Sequence, residues 1–268
     1  MIQICKDNNV FLMDGTMFMH HPRTTLLKNA LRDISCGHLH RVQTCLTFPA
    51  DPNFFATNIR TKVDADPLGA IGDLGWYCTR IGILAFSWKA SNDDNFIRYP
   101  VSAQAFGTRW TDDGVPLEFN AYVFFSEDKR EILSFDCSFF LPFRQKFELV
   151  CSTPSPEYGD QLITGDDFVL PISPTEASFI IDVAPLPGKL QNVNPDPHEF
   201  HTVIGDTSTG TQQQKMLEFF ANTILNQTYE TPDGDYWGKI ALVTQSTLDA
   251  IFESMKNNGV ETPVQRYD

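Results

Sequence analysis

Six histidines fall in three close pairs, His20-His21, His38-x-His40 and His198-x-x-His201. Imidazoles are common ligands of transition metals, and a strand carrying His38 and His40 would turn both rings to one face, as two ligands of one ion require. A working site needs a third ligand. No cysteine or carboxylate recurs at an offset that would supply one, and His198 and His201 are separated by two residues where a two-histidine metal helix has three. The pairs therefore read as surface or hydrogen-bonded histidines. A hydrolase with a metal or acid-base site would have to draw His38, His40, His198 and His201 together by folding.

Several carboxylates stand in motif-like settings. Met13-Asp14-Gly15-Thr16 follows an apolar stretch, as in haloacid-dehalogenase-type phosphatases, but Leu12 stands where the nucleophilic carboxylate belongs, and covalent phosphoryl transfer fails without it. Gly205-Asp206-Thr207-Ser208 is one imperfect copy of an aspartic-protease loop, with Ser208 in place of the glycine that lets the backbone turn. A turn that ends a strand accounts for it better. Counted from Asp233, a twelve-residue calcium loop would place Trp237 and Thr244 at ligand positions, so Asp233-Gly234-Asp235 reads as an acidic turn, as do Asp93-Asp94, Asp112-Asp113 and Asp166-Asp167. G-x-G-x-x-G, G-x-x-x-x-G-K-[ST] and G-x-S-x-G are all absent from the sequence. No catalytic, cofactor-binding or metal-ligating residue is assigned, and no cofactor is expected.

Charge and sulfur narrow the classes further. Residues 1–150 carry 15 basic and 17 acidic side chains, whereas residues 151–268 carry 5 and 17, so the formal charge of -14 sits almost wholly in the C-terminal part. Such a field repels phosphate backbones and anionic lipid, and neither nucleic acid nor membrane is expected as a partner. Cys5, Cys36, Cys45, Cys78, Cys137 and Cys151 show no C-x-x-C spacing, and MIQICKDNNV has no apolar signal region. Reduced, buried thiols in a soluble cytoplasmic chain are expected. Asn226-Gln227-Thr228 matches a glycosylation acceptor but falls in a predicted helix.

These residues must be positioned by elements that the pattern of apolar residues predicts. Asp14-Gly15 between Val10–Met13 and Thr16–Met19 predicts a hairpin. Pro22 opens a helix with Leu27, Ala30, Leu31 and Ile34 at helical spacing and Gly37 as its stop. A strand is predicted over Leu39–Phe48, and residues 49–75 read as an irregular connection with a short strand near Ile59. Further strands are predicted at Ile81–Lys89, Pro100–Trp110, Leu117–Ser126, Glu131–Leu141, Lys146–Cys151, Phe168–Ile172, Ser178–Val183 and Lys239–Val243. Residues 211–226 form a helix capped by Thr209 or Thr211. A last helix opens on a Ser246/Asp249 capping box and ends at Gly259.

The fold class expected is α+β: a central antiparallel, meander-like sheet with helices near the N-terminus and in the last 60 residues. It forms one domain over 1–268, and a division, if the chain had one, would fall near 151–200, between a β-rich 1–150 and an acidic 151–268. A doubly wound nucleotide fold or a (β/α)8 barrel is not expected, because strict strand-helix alternation is absent. The 22 phenylalanines include the adjacent pairs Phe54-Phe55, Phe124-Phe125, Phe139-Phe140 and Phe219-Phe220. In a strand such neighbours point to opposite faces, so both faces of part of the sheet should be covered, by helices or by another subunit. The function expected is non-enzymatic, through a protein partner or self-association, as in a virus or phage structural component. The alternatives are an immunity-type or inhibitor protein that binds a basic partner, and the hydrolase above.

Overall fold

A computed structural model describes residues 1–152, 159–171, 176–183, 199–206, 210–227 and 232–267. Its centre is one nine-stranded sheet with β1 (His38–Thr47), β2 (Ser102–Trp110), β3 (Pro116–Phe124), β4 (Ile132–Ser138), β5 (Arg144–Ser152), β6 (Gln161–Asp166), β7 (Glu176–Val183), β8 (Glu199–Asp206) and β9 (Thr262–Pro263). The order is β8-β7-β6-β5-β1-β4-β3-β2-β9. The meander β2-β3-β4 is antiparallel, as expected, and so is β5-β6-β7-β8, whose strands β6 and β8 had no predicted counterpart. The sheet as a whole is mixed, which corrects the purely antiparallel expectation. β1 lies between the meanders, parallel to β4 and antiparallel to β5. A parallel pair needs a long crossover, and the chain between β1 and β4 supplies it.

That crossover holds the largest correction. Ile81–Lys89 is not a strand but the body of α4 (Trp76–Ala90), and every residue from Cys78 to Trp88 is buried. A helix apolar on all sides has no 3.6-residue stripe, so periodicity cannot separate it from a buried strand. Lys239–Val243 is likewise part of α6 (Pro232–Lys256), which runs through Ser246, so that serine is not a cap. Gly259, at φ +81°, does end this region, and its N–H returns to the Ser254 carbonyl at 2.8 Å. Residues 49–75 hold α3 (Pro52–Thr57) and a 3-10 turn at Ile59–Thr61 in place of the short strand. Residues 168–171 form no strand, β6 lying just before them, and Ile172 lies outside the described residues. α1 (Ile2–Asp7) was not predicted, whereas α2 (Pro22–Arg32) and α5 (Gln212–Leu225) form where expected. Thr211 caps α5 in a reciprocal box with Gln214. Pro154, Pro156, Pro174, Pro185, Pro187, His198, Thr207, Ser208 and Thr228 lie outside the described residues.

Helices α2, α4 and α6 cover one face of the sheet, α4 over β1 and β4, α6 over β2, and α2 toward β7 and β8. The core sits between the layers, with Val42, Phe119, Val123, Leu133, Phe135, Leu149 and Ile163 pointing into it from neighbouring strands. The opposite face presents Arg41, Gln43, Asn120, Tyr122, Arg144 and Lys146 to solvent. The adjacent phenylalanines resolve accordingly: Phe125 stacks on Phe86 in the core at 4.3 Å, while Phe124, on the opposite face, is buried beneath the Lys129 ammonium at 4.9 Å. Arg23 ties α2 to the far half of the sheet by donating to the carbonyls of Asp166 at 2.9 Å and Asp167 at 2.8 Å. Burial pushes its pKa down to about 10.

α4 can approach the sheet because Gly82 carries no side chain: a Cβ there would stand 2.5 Å from Leu133 Cδ2. Leu133 is itself fully buried and has nowhere to move. Gly82→Ala is expected to destabilise the fold by about 1–2 kcal/mol in urea unfolding, overpacking outweighing the helix-propensity gain of about 1 kcal/mol. Adding Leu133→Val should recover part of the loss.

Candidate functional site

The predicted hairpin at Asp14-Gly15 is absent. Residues 17–20 form a 3-10 turn, and neither Asp14 nor Gly15 has positive φ. The reason is tertiary, because Asp14 is committed to Arg80. Arg80 lies on α4 with no exposed surface; its Nη2 donates to Asp14 Oδ2 at 2.8 Å and its Nε to Thr244 Oγ1 on α6 at 2.9 Å. Nη1 reaches the Met19 sulfur at 3.0 Å, and the Trp76 ring centroid is 5.3 Å from the guanidinium carbon. Asp14 also accepts the Thr16 backbone N–H at 3.0 Å and the Thr16 hydroxyl, which in turn accepts from the Trp76 indole at 2.8 Å. Segment 14–20 is thereby fixed across the start of α4.

Beside this network lies a second group of polar residues. α4 is entered through a π-helical turn, Ile71–Gly75, a geometry that recurs at functional sites. Asp73 sits in it, half-buried, and accepts from Arg60 Nε at 2.6 Å. Burial pushes the Asp73 carboxyl above its ordinary pKa despite the guanidinium. Tyr77 follows one turn later, its ring 6.4 Å from that of Phe18. Burial and the carboxylate of Asp73 push the Tyr77 hydroxyl up, so it holds its proton at neutral pH. The turn is placed by Gly69, at φ +48°, where a Cβ would meet the Pro116 carbonyl and Val115 Cγ1 at 2.5 Å. A half-buried, protonated phenol next to a carboxylate-guanidinium pair can donate a proton to a substrate oxygen and recover it.

The histidines divide between elements. His38 and His40 do share a face of β1, with ring centroids 4.5 Å apart. His38 Nε2 lies 3.5 Å from Glu131 Oε1, and His40 bonds Ser152 Oγ. His201 is on β8, four strands away from β1, which at about 4.8 Å per strand is roughly 19 Å. Folding does not bring His38, His40 and His201 together, and no group of three or more His, Cys, Asp or Glu among the described residues could hold a metal ion. His20 stacks on Trp237 at 5.1 Å, and His21 caps α2 by accepting the Arg23 N–H at 2.9 Å. Burial pushes both down to a pKa of about 4.

No protein-family model matches the chain. Its fold is similar to solved oxidoreductase structures. One is KijD10, a 3-ketoreductase from Actinomadura kijaniata in complex with NADP and TDP-benzene (TM-score 0.69, 17% identity, 94% of this chain, 65% of that one). A second is an aldose-aldose oxidoreductase from Caulobacter crescentus complexed with glycerol (0.69, 16%, 98% and 66%). A third is GenD2 from gentamicin A biosynthesis in complex with NAD (0.63, 16%, 99% and 67%). The chain spans about 65% of the ketoreductase's length, and identity this low shows a shared fold. The expected non-enzymatic role is corrected by this finding. The structures that share the fold are enzymes, and the viral, immunity-type and hydrolase readings are withdrawn. No described helix is long and apolar enough to cross a membrane.

Sequence reasoning missed Asp73, Tyr77, Arg60 and Arg80. The available signals were a lone arginine inside an apolar run and the spacing Gly69-x-x-Gly72-x-x-Gly75 around Asp73.

Two outcomes follow for stability. Asp14→Ala leaves a buried guanidinium without its counter-ion and is expected to cost about 3–5 kcal/mol in denaturant unfolding; Thr244→Val should cost about 1 kcal/mol. Between pH 6.5 and about 4 the unfolded chain protonates His20 and His21 while the folded chain resists, so their contribution to stability falls as pH falls through that window. Thermal melts from pH 6.5 to 4.5 should show the wild type losing roughly 5 °C more than His20→Phe.

Proposed function

We propose that this chain is part of a nicotinamide-dependent oxidoreductase that interconverts a carbonyl and a hydroxyl on a sugar-like substrate, with Tyr77 as the proton donor and acceptor. The observation that carries the reading is the Arg60–Asp73 pair one turn from Tyr77 at the entrance to α4, in a fold similar over 94% of the chain to a 3-ketoreductase. Tyr77 would hydrogen-bond the substrate oxygen and give up its proton as negative charge develops there. Asp73 and Arg60 would hold the ring's surroundings polar and fixed, and the Asp14–Arg80 network would position segment 14–20 as the opposite wall.

Residues 69–75 do not fit the pyrophosphate of a dinucleotide. The faces that Gly69 and Gly75 leave open are filled by Val115, Pro116, Phe119 and Leu248, and the missing Cβ of Gly72 faces the Asp66 carboxylate at 3.4 Å. No step is therefore routed through the nucleotide.

We propose a protein partner or self-association at the sheet face opposite α2, α4 and α6, where Tyr122, Ile180 and Ile204 are exposed. Absolute mass in solution at low and high salt should exceed that of one 30.3 kDa chain.

The enzymatic reading is tested by following NADPH oxidation with a panel of keto-sugars. Wild-type protein is expected to turn over at least one of them. Tyr77→Phe should lower kcat about 100-fold with KM largely kept. A wild type that oxidises no NADPH sinks the oxidoreductase reading, and a Tyr77→Phe variant with full kcat removes the tyrosine from it.

A further inference from the structure

At the other end of α4 the structure brings two cysteines into contact. Cys36 ends the 3-10 turn Ile34–Cys36 after α2, and Cys151 lies on β5 opposite Leu39. Both are fully buried, and their sulfurs are 2.7 Å apart although 115 residues separate them in the chain. A covalent S–S bond is about 2.05 Å long, so closing the gap requires a sulfur displacement well under 1 Å. A second cysteine pair, Cys78 and Cys137, is also buried but stands at 3.9 Å.

The surroundings of the two pairs differ. Cys36 and Cys151 share one hydrogen bond, and the Lys89 ammonium lowers the Cys36 thiol. The 2.7 Å contact and the Lys89 ammonium favour a thiolate within the pair, and Cys36, beside the turn that opens onto the cleft, is taken as the attacking sulfur. Burial pushes Cys137 far up with no cation among the causes. A cleft lined by Ile34, Gly37, His38, His40, Lys89 and Ser152 opens beside the first pair, and Gly37 and Ser152 are the residues next to the two cysteines.

We propose that Cys36 and Cys151 are an oxidisable dithiol that closes to a disulfide when the protein meets a hydroperoxide, tying the turn after α2 to β5. In the first step the Cys36 sulfur attacks the peroxide oxygen: an S–O bond forms, the O–O bond breaks, and the leaving oxygen takes up the proton lost by Cys36. In the second the Cys151 sulfur attacks the sulfenic sulfur: the S–S bond forms, the S–O bond breaks, and water leaves with the Cys151 proton. The two thiols lose two electrons, which the peroxide gains. Lys89, which donates to the Leu31 carbonyl at 2.9 Å, stands where it would favour the Cys36 thiolate. Tyr77 is twelve residues away along the helix, roughly 18 Å, so this device does not depend on the reductase reading.

Treating the folded protein with hydrogen peroxide, blocking remaining thiols and mapping peptides without reduction tests the proposal. A cross-linked Cys36–Cys151 peptide is expected, with Cys78 and Cys137 still free, and the melting temperature should rise by roughly 10 °C, reversibly with dithiothreitol. Cys151→Ser should stop at a Cys36 sulfenic acid, trapped by dimedone, with no such rise. Both thiols remaining free in treated wild type, or Cys36 passing to sulfinic acid with no cross-link, overturns the proposal. The wild-type peptide map decides this even if Cys151→Ser does not fold.

Discussion

A guanidinium with no exposed surface is the constraint on which the packing of α4 against the N-terminal segment and α6 depends. Removing a charge from water costs several kcal/mol unless its hydrogen bonds and counter-charge are replaced. For Arg80 the replacements come from three parts of the chain: Asp14 and Met19 from the N-terminal segment, Trp76 from its own helix and Thr244 from α6. Each therefore has to be where it is. The network fixes segment 14–20 against α4, where Phe18 meets Tyr77, and joins α4 to α6.

The sheet imposes a second constraint. Because β1 joins two antiparallel meanders and runs parallel to β4, the segment between them has to cross the sheet, and α4 is what crosses. Gly69 and Gly82 allow that crossing to lie close, one against the start of β3 and the other against Leu133 on β4. The π-helical turn falls where the loop becomes α4, and it is this entrance, not the helix body, that holds Asp73 half-exposed. Architecture and candidate chemistry thus share a cause: a helix buried on every side can present polar groups only at its ends.

The differences between sequence expectation and structure have separate physical causes. Ile81–Lys89 and Lys239–Val243 are short apolar runs, and such runs suit a buried strand and a buried helix equally well until the neighbours are known. Asp14-Gly15 has good turn chemistry, but a tertiary ion pair overrides local preference. His38 and His40 were correctly placed on one face of β1, since a period of two is a backbone property, whereas the distance from His201 depended on strand order. Nothing about Tyr77 marks it locally: a tyrosine four residues after an aspartate is ordinary until burial and Arg60 are added.

The amino-acid sequence by itself determined the antiparallel meander β2-β3-β4, the strands β5 and β7, α2 with its proline start, α5 with its Thr211 cap, and the end of the last helix at Gly259. These are set by alternation, capping and turn preference, all of which act within a few residues. Tertiary structure alone decided the parallel β1–β4 pairing, the helical state of residues 76–90, the meeting of Asp14 with Arg80 and the contact of Cys36 with Cys151. Those depend on which distant segments exclude water from one another, and burial and counter-charge are properties of the packed molecule that no local window contains.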